Sequence, residues 1–240
     1  MSRAEQSMKL ELERIVFIGR TFEEYIDMFS LSNEELKGKK ILDCPAGACS
    51  FTAVGSKCGL NVTAADIAYY YPGDDLKNKG LRDIEHAMEQ MERSKRNYIW
   101  NYFKDVEDLK KHRLSALKDC TNHMKKSSVS YVPVTLPSLP FKDEEFDLLL
   151  SAHFLFMYAD RLEYKFHLKT LDELLRVTKE EIRIFPLVDL EGKRYEHLDK
   201  VIEYLTIQGC VVDEVKVPYE FQKNANSMLT IKKAGNRIFL

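Results

Sequence analysis

The sequence predicts an α/β chain in which a mostly parallel sheet carries helices on both faces. Three observations predict it. Residues 39–51 read as a buried strand (Ile41, Leu42, Asp43), a tight turn at Gly47 and a helix that starts at once. Residues 61–66 read as the next strand and end in the carboxylate of Asp66. Residues 211–217 and 228–232 read as two strands with no helix between them, which makes them an antiparallel pair at the end of the sheet. A strand that feeds a helix through a tight turn is where α/β proteins place a nucleotide-like cofactor. An acidic residue about 20 positions further on is the expected partner of ribose hydroxyls.

In chain order, residues 1–13 read as a ragged helical lead-in. Thr21 with Glu24 three residues on has the form of a capping box. Phe22, Tyr25, Ile26 and Phe29 follow at helical spacing, which predicts an amphipathic helix. Ser32 opens a second, short helix that ends near Gly38. These helices either cover the sheet edge or form a flap over a cofactor pocket, with Arg20 and Tyr25 as the residues that reach it. After Gly47, Phe51, Val54 and Cys58 share one helical face and Gly59 is a natural C-cap. The strand to Asp66 completes a β-α-β unit, which implies parallel pairing with a right-handed crossover.

The regular alternation then stops over residues 69–128. Residues 69–75 read as a loop, and the three tyrosines that begin it read as packing or as an aromatic wall. Residues 81–126 have helical spacing, with Tyr98, Tyr102, Val106 and Leu109 on one stripe. Residues 77–126 hold 13 Lys/Arg against 8 Asp/Glu. Such a run is either a solvated face or a surface for a polyanion such as RNA. Because this insertion follows the Asp66 strand, it leans over the carboxyl ends of the strands as a lid or acceptor-binding element.

The β pattern resumes at residues 130–134. Pro137 and Pro140 fix an extended loop over residues 136–141. Residues 146–151 form a strongly apolar strand, expected at the sheet centre. A helix is predicted over residues 160–177, with Leu168, Leu171, Leu174 and Leu175 inward, then a strand over 181–188 and a helix over 195–208 closed by Gly209.

Bulk properties exclude several classes. A chain of 240 residues fits one domain with an insertion, and a formal net charge of −2 argues against a dedicated duplex-DNA binder. The five cysteines are odd in number and form no Cys-x-x-Cys pair, and the N-terminal residues are charged and polar rather than signal-like. A reducing, cytoplasmic setting with free thiols is expected. No apolar run approaches the roughly 18 residues of a membrane span. His86, His112, His123, His167 and His197 show no metal-ligand spacing, so no metal is expected.

This order resembles the class I S-adenosylmethionine (SAM)-dependent methyltransferase family over residues 20–66 and 129–233. Ile41-Leu42-Asp43-Cys44-Pro45-Ala46-Gly47 is similar to the family's first motif, Val62 to Asp66 to its second, and Leu139-Pro140-Phe141-Lys142-Asp143-Glu144-Glu145-Phe146-Asp147-Leu148 to its run into the fourth strand. Leu174 to Val177 resembles the helix before the fifth. The resemblance implies one domain over residues 1–240, built on a Rossmann-like seven-stranded sheet with an antiparallel last strand and a helical insertion. It also implies SAM as cofactor. The loop of Asp43, Cys44, Pro45, Ala46 and Gly47 would run under the methionine part. Asp66 would hold the ribose and Thr135 would stand at the adenine, Ile67 and Leu136 would also contact the cofactor, and Ser151 and Ala152 would line cofactor and acceptor. The departures are specific. Of three motif glycines only Gly47 is present, with Pro45 and Cys49 in the flanking places. Thr135 stands where an acid usually meets the adenine amino group, and Lys179-Glu180-Glu181 replaces the usual Lys-Pro-Gly-Gly turn.

Methyl transfer from a sulfonium is an in-line displacement, so the protein's main task is alignment, worth about 7–11 kcal/mol at best. His153 is the candidate general base; the plain alternative is a hydrogen-bonding histidine at a strand end. Arg20, Tyr25, Tyr158, Tyr219 and Gln222 are the candidates for binding the acceptor. The reading is a SAM-dependent methyltransferase acting on a small molecule. A non-catalytic SAM- or nucleotide-binding protein, and an RNA methyltransferase using the basic insertion, stay open. A nicotinamide dehydrogenase would want Gly-x-Gly-x-x-Gly, which this loop lacks.

Overall fold

The computed structural model describes residues 15–233; the lead-in expected over residues 1–13 lies outside them. Seven strands form one sheet: β1 (Lys40–Asp43), β2 (Asn61–Asp66), β3 (Tyr131–Pro133), β4 (Phe146–Ala152), β5 (Thr178–Phe185), β6 (Cys210–Lys216) and β7 (Ser227–Lys233). Their spatial order is β3-β2-β1-β4-β5-β7-β6. The first five pair in parallel, and β7 runs antiparallel to both β5 and β6. The helices are α1 (Phe22–Met28), α2 (Asn33–Leu36), α3 (Phe51–Lys57), α4 (Gly73–Arg93), α5 (Val106–Lys126), α6 (Tyr164–Val177) and α7 (Leu198–Ile207).

Alternation along the central strands builds two cores. Ile41, Leu148 and Leu150 face one side of the sheet, where they meet Tyr25, Phe29 and Phe51. Leu42, Leu149, Ile182 and Ile184 face the other, with Leu171, Leu174 and Leu205 of α6 and α7. Strands apolar on both faces suit a parallel sheet sandwiched between helices. The predicted capping box is formed: Glu24 N–H donates to Thr21 Oγ1 and Thr21 N–H to Glu24 Oε2. Gly59 and Gly209 close α3 and α7 with φ of +80° and +86°, the left-handed values that favour glycine.

Four boundaries differ from expectation. The insertion is two helices, α4 and α5, and Tyr98 and Tyr102 lie between them rather than on a helical stripe. Their rings are drawn to the C-terminal loop: Tyr98 stacks on Phe221 at 4.8 Å and Tyr102 meets Tyr219 edge-on at 4.9 Å. Ile99 N–H donates to the Phe221 carbonyl there, and Asp105 then caps a fresh helix through Asp108 N–H. The expected loop over residues 69–75 is shorter, because α4 already begins at Gly73. α6 starts at Tyr164, since residues 154–162 spend their backbone groups on tight turns. β5 follows α6 without a linker and stops before Pro186, which has no N–H to continue the ladder.

Candidate active site

The strand order reverses between β1 and β4, and the carboxyl ends of strands at such a switch point open a crevice. A cavity of about 650 Å³ lies there. Its walls come from the loop after β1 (Pro45, Ala46, Gly47, Cys49), the end of β2 (Asp66, Ile67), the loop after β3 (Val134, Thr135, Leu136) and the end of β4 (Ala152, His153). The insertion and the C-terminal loop close the far side with Met88, Met91, Arg113, Tyr219 and Phe221.

The loop after β1 uses its own backbone donors. Ala46 N–H donates to the Ala65 carbonyl at 3.0 Å and Gly47 N–H to Asp66 Oδ2 at 2.8 Å. Cys49 N–H turns back to the Ala46 carbonyl at 3.2 Å, Ser50 N–H goes to the Arg20 carbonyl at 2.9 Å, and Pro45 has none to give. A pyrophosphate needs free N–H groups at this turn; those of Ala46, Gly47, Cys49 and Ser50 are committed. A cofactor without phosphate suits the loop better. Gly47 has φ of +54°, and Tyr69 donates its hydroxyl to the Gly47 carbonyl at 2.8 Å. Asp66 accepts Ala68 N–H with its second oxygen, also at 2.8 Å. Burial raises the Asp66 carboxyl and these two N–H bonds pull it back. Each oxygen keeps a lone-pair site for a ligand hydroxyl.

Residues 15–20 lie across this loop as a strap. Ile15, Val16, Ile18 and Arg20 line the cavity. Phe17 is buried on the opposite side, and its N–H donates to Asp83 Oδ2 of α4 at 2.8 Å. Asp83 in turn pairs with Lys79, which is itself buried. The strap approaches so closely that a Cβ on Gly19 would stand 2.0 Å from the Ala48 carbonyl oxygen. Arg20 N–H donates to Cys49 Sγ at 3.2 Å, so the cysteine in a glycine's place anchors the strap. Burial first, then the nearby Asp43, pushes the Cys49 thiol up to about 12, which keeps it neutral.

Three separate chain segments meet in a buried polar cluster at the other end. Arg113 of α5 grips Glu24 of α1 with both guanidinium nitrogens, Nη1 to Oε2 at 2.6 Å and Nη2 to Oε1 at 3.0 Å. Tyr219 of the C-terminal loop donates to Glu24 Oε1 at 2.9 Å. Burial alone would raise the Glu24 carboxyl; the Arg113 guanidinium overrides it and holds it below the ordinary value. His153 stands beside this cluster with φ of +53°, an uncommon backbone for a non-glycine residue. Its N–H donates to the Phe185 carbonyl and its ring packs on Phe185 at 5.4 Å. Burial and the charges of Arg20 and Arg113 hold its imidazole well below the usual histidine range.

Most residues singled out from the sequence come together here. Arg20, Pro45, Ala46, Gly47, Asp66, Ile67, Thr135, Leu136, Ala152, His153, Tyr158, Tyr219 and Gln222 all line the cavity. Cys44 and Ser151 lie in the layer beneath. Two expectations are corrected. Tyr25 is fully buried and not at the acceptor surface; its hydroxyl donates to Asp43 Oδ1 at 3.0 Å. Asp43 is also fully buried under the loop rather than on the cavity wall, and burial pushes its carboxyl well above the usual carboxylate range. Glu24 and Arg113 were not singled out. The available signal was Arg113 itself, which interrupts the apolar stripe of Val106, Leu109, Ala116, Leu117 and Cys120 on α5.

Unpartnered buried polar atoms gather around this cavity. Among the described residues, Asp43 Oδ2, Ser151 Oγ, His153 Nδ1 and Arg20 Nε find no hydrogen-bond partner. Native proteins seldom leave such groups unmet, and a polar ligand in the cavity would meet those it can reach. The phosphate-free loop, the ribose-type carboxylate and this polar fringe fit an adenosyl amino acid.

Comparison with known proteins follows the same line. The chain is 39% identical over 225 residues to the uncharacterized protein MJ0045 of Methanocaldococcus jannaschii, covering 93% of this chain and 99% of the other. A family model described as a methyltransferase domain matches residues 106–185. Among solved structures, 1,6-didemethyltoxoflavin-N1-methyltransferase of Burkholderia thailandensis is similar in fold at a TM-score of 0.50, with 14% identity and coverage of 88% of this chain and 78% of that one. Magnesium protoporphyrin IX methyltransferase of Synechocystis PCC 6803 matches at a TM-score of 0.49, with 8% identity and coverage of 98% and 85%. The chain shares a family with MJ0045, and its methyltransferase-domain match and sheet order identify it as a member of the class I SAM-dependent methyltransferase family.

Proposed function

We propose that this chain transfers a methyl group from SAM to a small, mostly apolar acceptor bound in the same cavity. The observation that carries this reading is the continuity of that cavity. Gly47, Asp66 and Thr135 line the same cavity as His153, Tyr158 and Tyr219. When bound, SAM supplies a methyl group already activated on a sulfonium. The residues of this chain bind and align. Asp66 accepts the ribose hydroxyls, with Ile67 beside it. Ala46 and Gly47 form the floor of the methionine part, and Thr135 and Leu136 flank the adenine. Pro45 and Cys49 add bulk without blocking the cavity, since both lie on its wall. His153, uncharged at neutral pH, takes the acceptor's proton where one must be lost. Residues 15–20 and the helical insertion act as the lid that excludes water.

An RNA acceptor finds less support. Of the basic residues in the insertion, Lys79, Lys95, Lys110, Arg113 and Lys125 are each paired with a carboxylate. The test is thermal unfolding with SAM, S-adenosylhomocysteine and NAD in parallel, followed by methyl transfer to a panel of small acceptors. A ligand at about 100 times its dissociation constant adds roughly 2.7 kcal/mol. Stabilisation by the two sulfur ligands and not by NAD is expected. No shift with either at millimolar concentration would remove this reading. Binding without product over a broad acceptor panel would favour the non-catalytic alternative.

A further inference from the structure

Among the described residues, the cavity carries one more guanidinium around Glu24 than that one carboxylate can hydrogen-bond. Two guanidinium groups, Arg20 and Arg113, meet a single carboxylate, Glu24. Glu24 is saturated. Its Oε2 accepts Arg113 Nη1 and Thr21 N–H, and its Oε1 accepts Arg113 Nη2 and the Tyr219 hydroxyl. Four acceptor sites are what a carboxylate offers. Arg20 Nε lies 3.9 Å from Glu24 Oε1, close enough for attraction but too far for a hydrogen bond. Arg20 Nε is buried and finds no hydrogen-bond partner among the described residues.

Other acids do not supply the missing partner. Among the described residues Asp66 is the one carboxylate on the cavity wall, and both its oxygens hold backbone N–H groups, of Gly47 and Ala68. Asp43 lies fully buried beneath the loop, where the Tyr25 hydroxyl donates to its Oδ1. Arg161, the remaining guanidinium on the wall, pairs with Asp160 at the exposed rim. Beside His153, Tyr158, Tyr219 and Gln222, the wall is largely apolar, with Met88, Met91, Phe154, Met157 and Phe221. A largely buried cation that shares its one carboxylate with a second guanidinium is incompletely compensated. The planar guanidinium fork is suited to a carboxylate or similar anion.

We infer that the methyl acceptor is an apolar, ring-sized molecule carrying one anionic group, and that Arg20 binds that group. This rests on the reading that the cavity holds both cofactor and acceptor. A carboxylate could also come from the amino-acid part of the cofactor, so the test separates the two sources. Protein saturated with S-adenosylhomocysteine is titrated by calorimetry with 2-naphthoate and with 2-naphthamide, which match in size and differ in charge. Naphthoate should bind at least tenfold more tightly. Arg20→Met should bring the two within twofold, and Arg20→Lys should keep part of the preference. Equal binding by the wild type, or a preference that survives Arg20→Met, would overturn the inference.

The cofactor source is tested by titrating S-adenosylhomocysteine and 5′-methylthioadenosine, which lacks the amino-acid part. If Arg20→Met weakens only the former, tenfold or more, Arg20 serves the cofactor and the inference is wrong. If the wild type binds neither nucleoside, the cofactor reading fails by itself. The naphthoate pair, titrated on the free protein, then still decides whether Arg20 is an anion site. Should Arg20→Met not fold, the wild-type comparison and Arg20→Lys carry the decision.

Discussion

Gly47 N–H donates to Asp66 Oδ2 at 2.8 Å, joining the turn after β1 to the end of β2. The same carboxylate takes Ala68 N–H on its other oxygen. The residue proposed to hold the ribose therefore also sets the shape of the loop beneath the methionine part. Asp66→Ala should lower stability by about 1–3 kcal/mol, the cost of leaving buried donors unmet. It should also weaken S-adenosylhomocysteine at least tenfold. Asp66→Asn keeps one acceptor and should fall between. Denaturant unfolding and calorimetry measure the two effects separately; unchanged affinity in Asp66→Ala would show that the ribose is held elsewhere.

Gly19 should prove as sensitive as the motif glycine. A Cβ there would meet the Ala48 carbonyl at 2.0 Å, and the obstacle is backbone rather than a mobile side chain. Gly19→Ala should cost about 1–3 kcal/mol, the range for overpacking, and should loosen the strap over the cofactor. Gly73→Ala is the control, since a Cβ there meets nothing within 4 Å. Melting temperatures of the two variants compare them directly. Equal values would mean that the strap does not press on the loop.

The Glu24–Arg113 pair holds α1, α5 and the C-terminal loop together from fully buried positions. Breaking such a pair from one side typically costs about 3–5 kcal/mol, because the other charge is stranded. Glu24→Gln and Arg113→Met should each fall in that range. The double variant should cost clearly less than their sum. A double-mutant cycle with no coupling would show that the two do not act as a unit.

His153 gives the stability a pH dependence. Its folded value lies well below that of the unfolded chain, through burial and the charges of Arg20 and Arg113. Between those two values the unfolded state binds the extra proton, so stability rises with pH in that window. The contribution is complete above the unfolded value and is lost as pH falls through about 6.5 and below, at up to roughly 1.4 kcal/mol per unit. Denaturant titrations between pH 8 and 5 should show this slope, and His153→Gln should reduce it. Identical slopes in the two proteins would place His153 in water.

Much of the fold was legible because local rules and packing agree along most of the chain. The capping box at Thr21, the apolar run from Phe146 and the helix-closing glycines each specify their element through short-range physics. So does the cofactor end of the site, where loop and carboxylate are adjacent in sequence to their strands. The acceptor end was less legible. Glu24, Arg113 and Tyr219 come from three distant segments, and nothing in charge or spacing says that Glu24 and Arg113 are buried together. Tyr98 and Tyr102 fell on a helical stripe by spacing, yet long-range stacking on Phe221 and Tyr219 decided their conformation. Tyr25 was misplaced for a similar reason. Its position near the loop was right, but an amphipathic pattern cannot tell a ring over a pocket from one packed beneath it.

The most direct test of the central claim is calorimetric titration of the wild-type chain with S-adenosylhomocysteine, with NAD as the parallel ligand. One equivalent should bind with micromolar or tighter affinity, NAD should not bind, and Asp66→Ala should lose the signal. Binding of NAD in preference, or no heat with S-adenosylhomocysteine at millimolar concentration from a folded protein, would contradict it.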